Sequence, residues 1–315
     1  MPPVRDGLMP IAPPALSVVL CTHGRPDYLA ACLEGLGRQT RTGFEVVVVD
    51  SASPPAEAQR IASLAAASEA RLLRAAAPGL SHARNLGLAA AGGAWVAYLD
   101  DDAVPDANWA VALLGRIAAL PAEVAALGGR ILPAWEAPLP DWWPPAFRGV
   151  LTIVEWDGTG LVDGGLPAGV EIYGANMAFA TAPLRAMGGF PEALGRIGDR
   201  LLSGEEVEVV ARLVAMGHRA FYDGAIVVHH SIQRERLRPG WLLRRLLWQG
   251  ATDAMRDRGN LGRAAGAAAR LLLQAPLLLW PAASTALVRA RCGAAYNLGY
   301  LRGRLAPGLL AARPG

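Results

Sequence analysis

The chain has 315 residues, 53% of them hydrophobic, and a formal net charge of +3, so it can bury a full core as one large domain or a domain with an appendage. All 30 basic residues are arginine, which excludes a lysine-bearing phosphate loop, a Schiff-base lysine for pyridoxal phosphate and a catalytic lysine. Cys21, Cys32 and Cys292 have no metal-ligand spacing, and an odd cysteine count suggests reduced thiols in the cytoplasm.

Residues 1–15 carry five prolines and no long apolar run. They read as a disordered Pro-rich N-terminus, neither signal peptide nor membrane anchor. Leu16 to Cys21 reads as a first buried strand, followed by a helix over Pro26 to Leu36. Phe44 to Val49 is a near-continuous Val strand of the kind found in parallel sheets covered on both faces. A helix over Ala56 to Ala70, a short strand Arg71 to Arg74, a helix over Ser81 to Ala91 and a strand Trp95 to Leu99 follow. This alternation predicts an open, doubly wound α/β sheet whose ligand crevice lies at the carboxyl ends of the strands. Asp50 and Asp100-Asp101-Asp102 both stand at such ends.

Three adjacent carboxylates after a buried strand repel one another and call for a neutralising cation. Mg²⁺ or Mn²⁺ would suit them, since hard cations take carboxylate oxygens and share their other positions with substrate phosphates. A solvated acidic turn or a helix N-cap before Pro105 is the alternative. From Pro133 to Gly169 the pattern dissolves into prolines and glycines around Trp135, Trp142, Trp143 and Trp156. Their rings suit sugar C–H faces and nucleobases, and equally suit capping a core. Gly158-Thr159-Gly160 lacks the strand and helix context of a dinucleotide loop. Glu205-Glu206 opens a helix running to Gly217, with Ser203 as its expected cap; acidic residues there also serve as ordinary dipole partners. Phe221 to Val228 is a further strand ending in His229-His230.

Eight segments stand in a particular order: Ser-Val-Val-Leu-Cys-Thr-His-Gly-Arg-Pro (17–26), Val-Val-Val-Val-Asp-Ser-Ala-Ser (46–53), Gly-Leu-Ser-His-Ala-Arg-Asn-Leu-Gly (79–87), Tyr-Leu-Asp-Asp-Asp (98–102), Gly-Ala-Asn-Met-Ala-Phe (174–179), Gly-Gly-Phe (188–190), Ser-Gly-Glu-Glu-Val-Glu (203–208) and Val-His-His (228–230). Together they resemble a family-2 glycosyltransferase of the nucleotide-diphospho-sugar transferase superfamily, over roughly residues 16–250. The resemblance implies a GT-A type doubly wound mixed sheet flanked by helices, with a C-terminal helical extension. It divides the chain into a catalytic domain over 16–230 and a basic, apolar helical region over 231–315.

The resemblance also implies roles. Asp50 would accept from the donor's nucleobase or ribose, with Thr22 and Arg25 in the same pocket, and Arg84 would face the diphosphate. Asp100 and Asp102 are the outer positions of the Asp-x-Asp motif, and Asp101 between them joins the donor-binding set. Asp102 would ligate the metal, Mn²⁺ or Mg²⁺, with Asp100 towards the ribose or a metal-bound water. His230, or alternatively His229, would complete the metal site. Asn176 would hold the donor sugar or the acceptor. Glu206 takes the place where many relatives carry Asp, and would be the general base, with Glu205 beside it on the acceptor or in the exchanged role. A base opposite the leaving nucleotide implies single displacement with inversion. The Gln-x-x-Arg-Trp signature of processive synthases is not found at Trp248-Gln249-Gly250, which implies one sugar per encounter.

The implied function is hexosyl-type transfer from a nucleotide sugar, with uridine as the default base, to a glycan or lipid-linked acceptor in polysaccharide or glycolipid biosynthesis. No nucleic-acid partner is expected. A sugar-1-phosphate nucleotidyltransferase and a catalytically inactive, membrane-associated binding or scaffold protein are the competing readings. Charge bears on the last of these. Residues 1–230 hold 16 Arg against 24 Asp and Glu, a net of −8, whereas residues 231–315 hold 14 Arg against 3, a net of +11. With Trp241 and Trp248 among leucines, this basic region is expected to lie on an anionic membrane, peripheral at the inner face of the cytoplasmic membrane, or to pack on the catalytic domain. Leu271 to Val288 is uncharged but broken by Pro276 and Pro281, which suits it poorly to one straight spanning helix.

Overall fold

A computed structural model describes residues 15–196, 200–257, 261–278 and 284–305. The expected disorder of the N-terminus thus falls on residues outside the described ones, apart from Ala15. The first half alternates strand and helix: β1 (Leu16–Thr22), α1 (Pro26–Gly37), β2 (Phe44–Asp50), α2 (Pro55–Ala67), β3 (Arg71–Arg74), α3 (Leu80–Ala90) and β4 (Trp95–Asp100). It continues through β5 (Ala103–Pro105), α4 (Trp109–Ala119), β6 (Val124–Trp135), β7 (Thr159–Leu161), β8 (Met177–Ala180), α5 (Thr181–Ala186), α6 (Glu205–Ala215) and β9 (Arg219–Ile232). Three helices close the chain: α7 (Pro239–Arg256), α8 (Leu261–Leu278) and α9 (Thr285–Leu305).

The sheet runs β3-β2-β1-β4-β8-β6-β9-β5, with β7 also paired to β9. The β1–β4 set is parallel, β8 is antiparallel to β4 and β6, and β6 runs parallel to β9. All seven residues of β1 are buried, as expected of a central strand covered on both faces. Its alternate side chains enter two separate cores. Val18 and Leu20 pack with Leu29, Ile61 and Trp109 from α1, α2 and α4. Val19 and Cys21 pack with Ala83, Leu88, Leu184 and Val209 from α3, α5 and α6. The result is a mixed sheet flanked by helices on both faces, with further helices at the C-terminal end.

The Pro133–Gly169 stretch is more ordered than its composition predicts. β6 runs on to Trp135 beside the long β9, and a 3-10 turn covers Pro145–Leu151. Its tryptophans build cores. Trp143 is buried with Leu151, Ile232, Leu242 and Cys292, flanked by Trp135 and Trp142, and Trp156 stacks on Tyr222 at 5.4 Å between ring centroids. The apolar content of this segment therefore joins the tail to the sheet. α7 packs on α9 where Gly250, Gly299 and Gly303 leave no room for a Cβ against the opposing backbone.

Candidate active site

The parallel register sets the carboxyl-end rim. Thr22 lies beside Asp50, and Cys21 beside Asp100, so the ends of β1, β2 and β4 converge. Two neighbouring cavities open here. One of about 260 Å³ is lined by Thr22, His23, Arg25, Ser51, Asp100 and Asp102, among others. The second, of about 410 Å³, is lined by Arg84, Tyr173, Glu205, Glu206 and Arg245, among others, and shares Leu80, Asp100 and Arg196 with the first. A larger hollow of about 880 Å³ near Glu34, Phe44 and Arg71 contains none of the expected site residues and lies at the amino ends of β2 and β3.

Around the first cavity the Asp triplet divides its labour. Asp101, with no exposed surface, accepts Thr22 Oγ1 at 2.7 Å and forms a forked contact with the Arg25 guanidinium. These contacts hold Arg25 and Thr22 from behind. Burial, opposed by Arg25, pushes the Asp101 carboxyl up to about 7. Asp102 Oδ2 accepts from Arg25 Nη1 at 2.9 Å, Gln233 Nε2 at 2.9 Å and Arg236 Nη2 at 2.8 Å. Its Oδ1 lies 3.4 Å from His230 Nε2. Burial opposes ionisation here, but His230 and then Arg236 and Arg25 outweigh it and hold the carboxyl well below its ordinary range.

The strand period decides between the tandem histidines. On β9 inward and outward residues alternate, so His230 is buried and His229 is exposed. Among the described residues no set of three or more His, Cys, Asp and Glu is arranged to hold a metal ion. The local chemistry nevertheless suits one: a carboxylate and an imidazole stand side by side, and His230 Nδ1 is a buried nitrogen without a partner. One or two protein ligands plus substrate phosphates suffice for Mg²⁺-type sites. Arg25 and Arg236 now neutralise Asp102 where such a cation would act.

Asp50 orders the turn after β2 by accepting Ser53 N–H at 2.9 Å, and its other oxygen lies 3.7 Å from Arg74 Nε. It does not line the first cavity, whereas the adjacent Ser51 does. Asn176 is held within the fold. It is 2% exposed, accepts Trp109 Nε1–H at 3.0 Å and donates to the carbonyls of Arg130 and Ile226 at 3.0 and 2.8 Å. Three of the four hydrogen bonds its amide can make join α4, β6 and β9.

At the second cavity Arg84 is the hub. Its Nη1 donates to Glu205 Oε1 at 2.7 Å and its Nη2 to Asp100 Oδ1 at 3.2 Å. Gly174 lies so close that any Cβ there would strike the Arg84 guanidinium. Burial works against the Arg84 charge, but Glu205 and Asp100 more than restore it and raise its pKa. Glu206 is 9% exposed and its Oε2 has no hydrogen-bond partner. Burial first, then repulsion by Glu205, pushes its carboxyl up to about 8. Both glutamates occupy the first turn of α6, which Gly204 opens at φ +87°. Ser203 does not cap this helix; its hydroxyl meets Gln249 and Arg245 of α7 instead.

Several site residues were not anticipated. Gln233 and Arg236 close over Asp102, and Gln233-Arg234-Glu235-Arg236-Leu237 does carry the Gln-x-x-Arg half of the processive signature, with Leu in place of Trp. That spacing was the available signal. Arg196, Tyr173 and Arg245 had none, for nothing in a lysine-free, arginine-rich sequence distinguishes them.

The chain is similar to known proteins in sequence and in fold. Residues 17–147 match the family model of glycosyl transferase family 2. The chain is 27% identical over 251 residues to the glucosyl-dolichyl phosphate glucuronosyltransferase of Haloferax volcanii, covering 77% of each protein. It is 29% identical over 212 residues to the pre-mycofactocin glycosyltransferase of Mycobacterium tuberculosis, spanning 66% of this chain but 42% of that protein. The fold is similar to that of a mannosyltransferase from Pyrobaculum calidifontis solved with GDP-Man and Mn²⁺, at TM-score 0.60 and 21% identity, covering 94% of this chain and 91% of the other. It is similar also to S. aureus TarS 1–349 solved with UDP, at TM-score 0.54 and 16% identity, covering 93% and 91%. These solved chains share the GT-A arrangement of a mixed sheet flanked by helices.

Proposed function

We propose that this chain, which belongs to glycosyl transferase family 2 and is a glycosyltransferase, moves one sugar with inversion from a nucleotide-diphosphate donor to an acceptor hydroxyl, with Glu206 as the general base. The observation that carries this reading is the Glu206 carboxylate. It is buried, unpartnered at Oε2, raised to about 8 and placed on the wall of a cavity that meets the Arg25–Asp102 cavity at Asp100 and Arg196. A base whose pKa lies near the working pH is suited to taking a hydroxyl proton.

In the reaction the acceptor oxygen forms a bond to the sugar's C1 as the C1–O bond to the diphosphate breaks. Glu206 takes the hydroxyl proton, and the electron pair leaves with the nucleoside diphosphate. Arg84 tethers Glu205 through Oε1, so the two adjacent glutamates stand in different surroundings. Thr22, Arg25 and Ser51 form the donor wall, and Arg196 adds positive charge between the cavities. Asp102 and His230 would hold a divalent cation, Mn²⁺ or Mg²⁺, whose chemistry is to neutralise the departing diphosphate.

A lipid-linked acceptor is supported by the name of the Haloferax relative and by the tail. Leu272 and Leu273 on α8 are 76% and 80% exposed within the basic region, a combination suited to the interface of an anionic membrane. No described helix is long and apolar enough to cross a membrane. The test of the proposed activity is nucleotide release from a panel of UDP-, GDP- and dTDP-sugars with Mn²⁺ or Mg²⁺, uridine donors first. Absence of release from every donor, together with absence of nucleotide binding, would overturn it.

A further inference from the structure

The glycosyltransfer reading leaves Arg245 without a task. This α7 residue comes from the basic tail, lines the same cavity as Glu206, and is 8% exposed. Its Nη2 donates to Ser203 Oγ at 3.1 Å, but Nε and Nη1 have no partner. A buried guanidinium with open donors is costly unless something anionic completes it. Burial, and then the like charge of Arg196, push its pKa down to about 10. Glu206, Glu205 and Asp253 pull the other way without restoring it. Each of the last two is engaged elsewhere: Glu205 by Arg84, and Asp253 by Tyr296 Oη at 2.5 Å and Gln249 Nε2 at 3.0 Å. The residues lining one cavity thus hold buried, unpartnered acceptors, Glu205 Oε2 and Glu206 Oε2, and buried, unpartnered donors, Arg245 Nε and Nη1.

We propose that Arg245 forms an anion subsite for the acceptor: the acceptor carries an oxyanion, phosphate or carboxylate, that pairs with Arg245 while its hydroxyl meets Glu206. This rests on the glycosyltransfer reading and names the acceptor's chemical class. A guanidinium fork recognises either oxyanion through paired N–H donors. Both open nitrogens are closed to bulk solvent, so the partner must enter the cavity and draw the side chain towards it. Specificity follows from the same feature, since a neutral acceptor would leave the buried charge uncompensated.

The test measures binding of glucose 1-phosphate, methyl glucuronide and methyl glucoside to the full chain by calorimetry, with whichever of UDP or GDP binds present at saturation. In the wild type at least one of the two anionic sugars should bind roughly 10-fold or more tighter than the neutral one. Arg245→Gln should abolish that preference, Arg245→Lys should retain part of it, and the nucleotide affinity of both variants should match the wild type, which also reports that they fold. Equal binding of all three sugars, or an anion preference that survives in Arg245→Gln, overturns the proposal. So does displacement of the anionic sugars by the nucleotide, which would put them in the donor cavity. An Arg245-dependent preference for UDP-glucuronate over UDP-glucose, without one among the free sugars, would assign the anion to the donor and likewise overturn it. If neither nucleotide binds while the Arg245-dependent preference persists, the anion subsite stands and the glycosyltransfer reading fails.

Discussion

Arg84 Nη1 donates to Glu205 Oε1 at 2.7 Å, and this contact gives two adjacent carboxylates different surroundings. Glu205 is tied to a permanent cation that also reaches Asp100, so its charge is balanced and its position fixed. Glu206, one residue on, has no such partner and is repelled by the charge that Arg84 stabilises. Glu206→Gln should therefore keep nucleotide binding while transfer falls by roughly 10²–10⁴-fold. Glu205→Gln should lower the melting temperature by loosening Arg84 and cost less in turnover. Steady-state kinetics on both variants decides; a dead Glu205→Gln beside an active Glu206→Gln would reverse the assignment.

The raised Glu206 carboxyl gives a pH dependence of definite sign. With Glu206 in the proposed role of base, transfer needs the ionised form, so the rate should climb with pH towards about 8 and then level. Stability runs the opposite way. Between the group's ordinary value of 4.5 and about 8 the folded chain binds more protons than the unfolded one. The stabilising contribution is thus complete below the lower value and is lost as pH rises through the upper. Thermal melts across this range should show the decline in wild type and a shallower one in Glu206→Gln.

Asp102 is the common anion of Arg25, Gln233 and Arg236. Asp102→Ala should reduce transfer by about 10²-fold or more and also lower the melting temperature, because half-buried Arg236 loses its compensating charge. Asp102→Asn should melt closer to wild type yet lose the dependence of nucleotide binding on divalent ions. Full activity of the wild type in excess chelator would remove the cation from the mechanism.

Asn176→Ala removes the partners of Trp109 Nε1 and of the Arg130 and Ile226 carbonyls. A loss of roughly 2 kcal/mol or more is expected from these buried groups, read by denaturant unfolding. Nucleotide affinity of the folded variant should be unchanged. A stable variant with weakened donor binding would return Asn176 to the ligand.

The tail should bind vesicles containing anionic lipid in co-sedimentation, and added salt should weaken that binding. Equal partitioning to neutral vesicles would point to insertion of the exposed leucines of α8 instead. No partitioning to either would remove the membrane from the proposal.

The order of strands and helices through β4 was legible because β1, β2 and β4 are apolar along most of their length and each helix keeps its own period. Leu16 to Cys21 and Phe44 to Val49 needed no tertiary information. Helix α4 and strands β6 and β8 gave weaker signals, for their glycines and alanines become buried only against partners distant in sequence. The Trp-rich stretch read as loop because its order comes from Leu242, Val288 and Cys292, residues far away in sequence.

At the site, sequence by itself picked out the candidate residues: the Asp triplet at a strand end, the Glu pair opening a helix, and the tandem histidines. Charge type and strand or helix position are local properties, so motif order sufficed. Tertiary structure decided what each atom does. Asp101 turned inward to Thr22 and Arg25, Asn176 became a strut under Trp109, and His230 faced in while His229 faced out. Only the packing of α7 against the sheet brought Arg245 to the cavity of Glu206. Hydrogen-bond partners and burial depend on chain segments far apart in sequence, and these contacts, not residue type, set which groups are spent on the fold and which remain for a substrate.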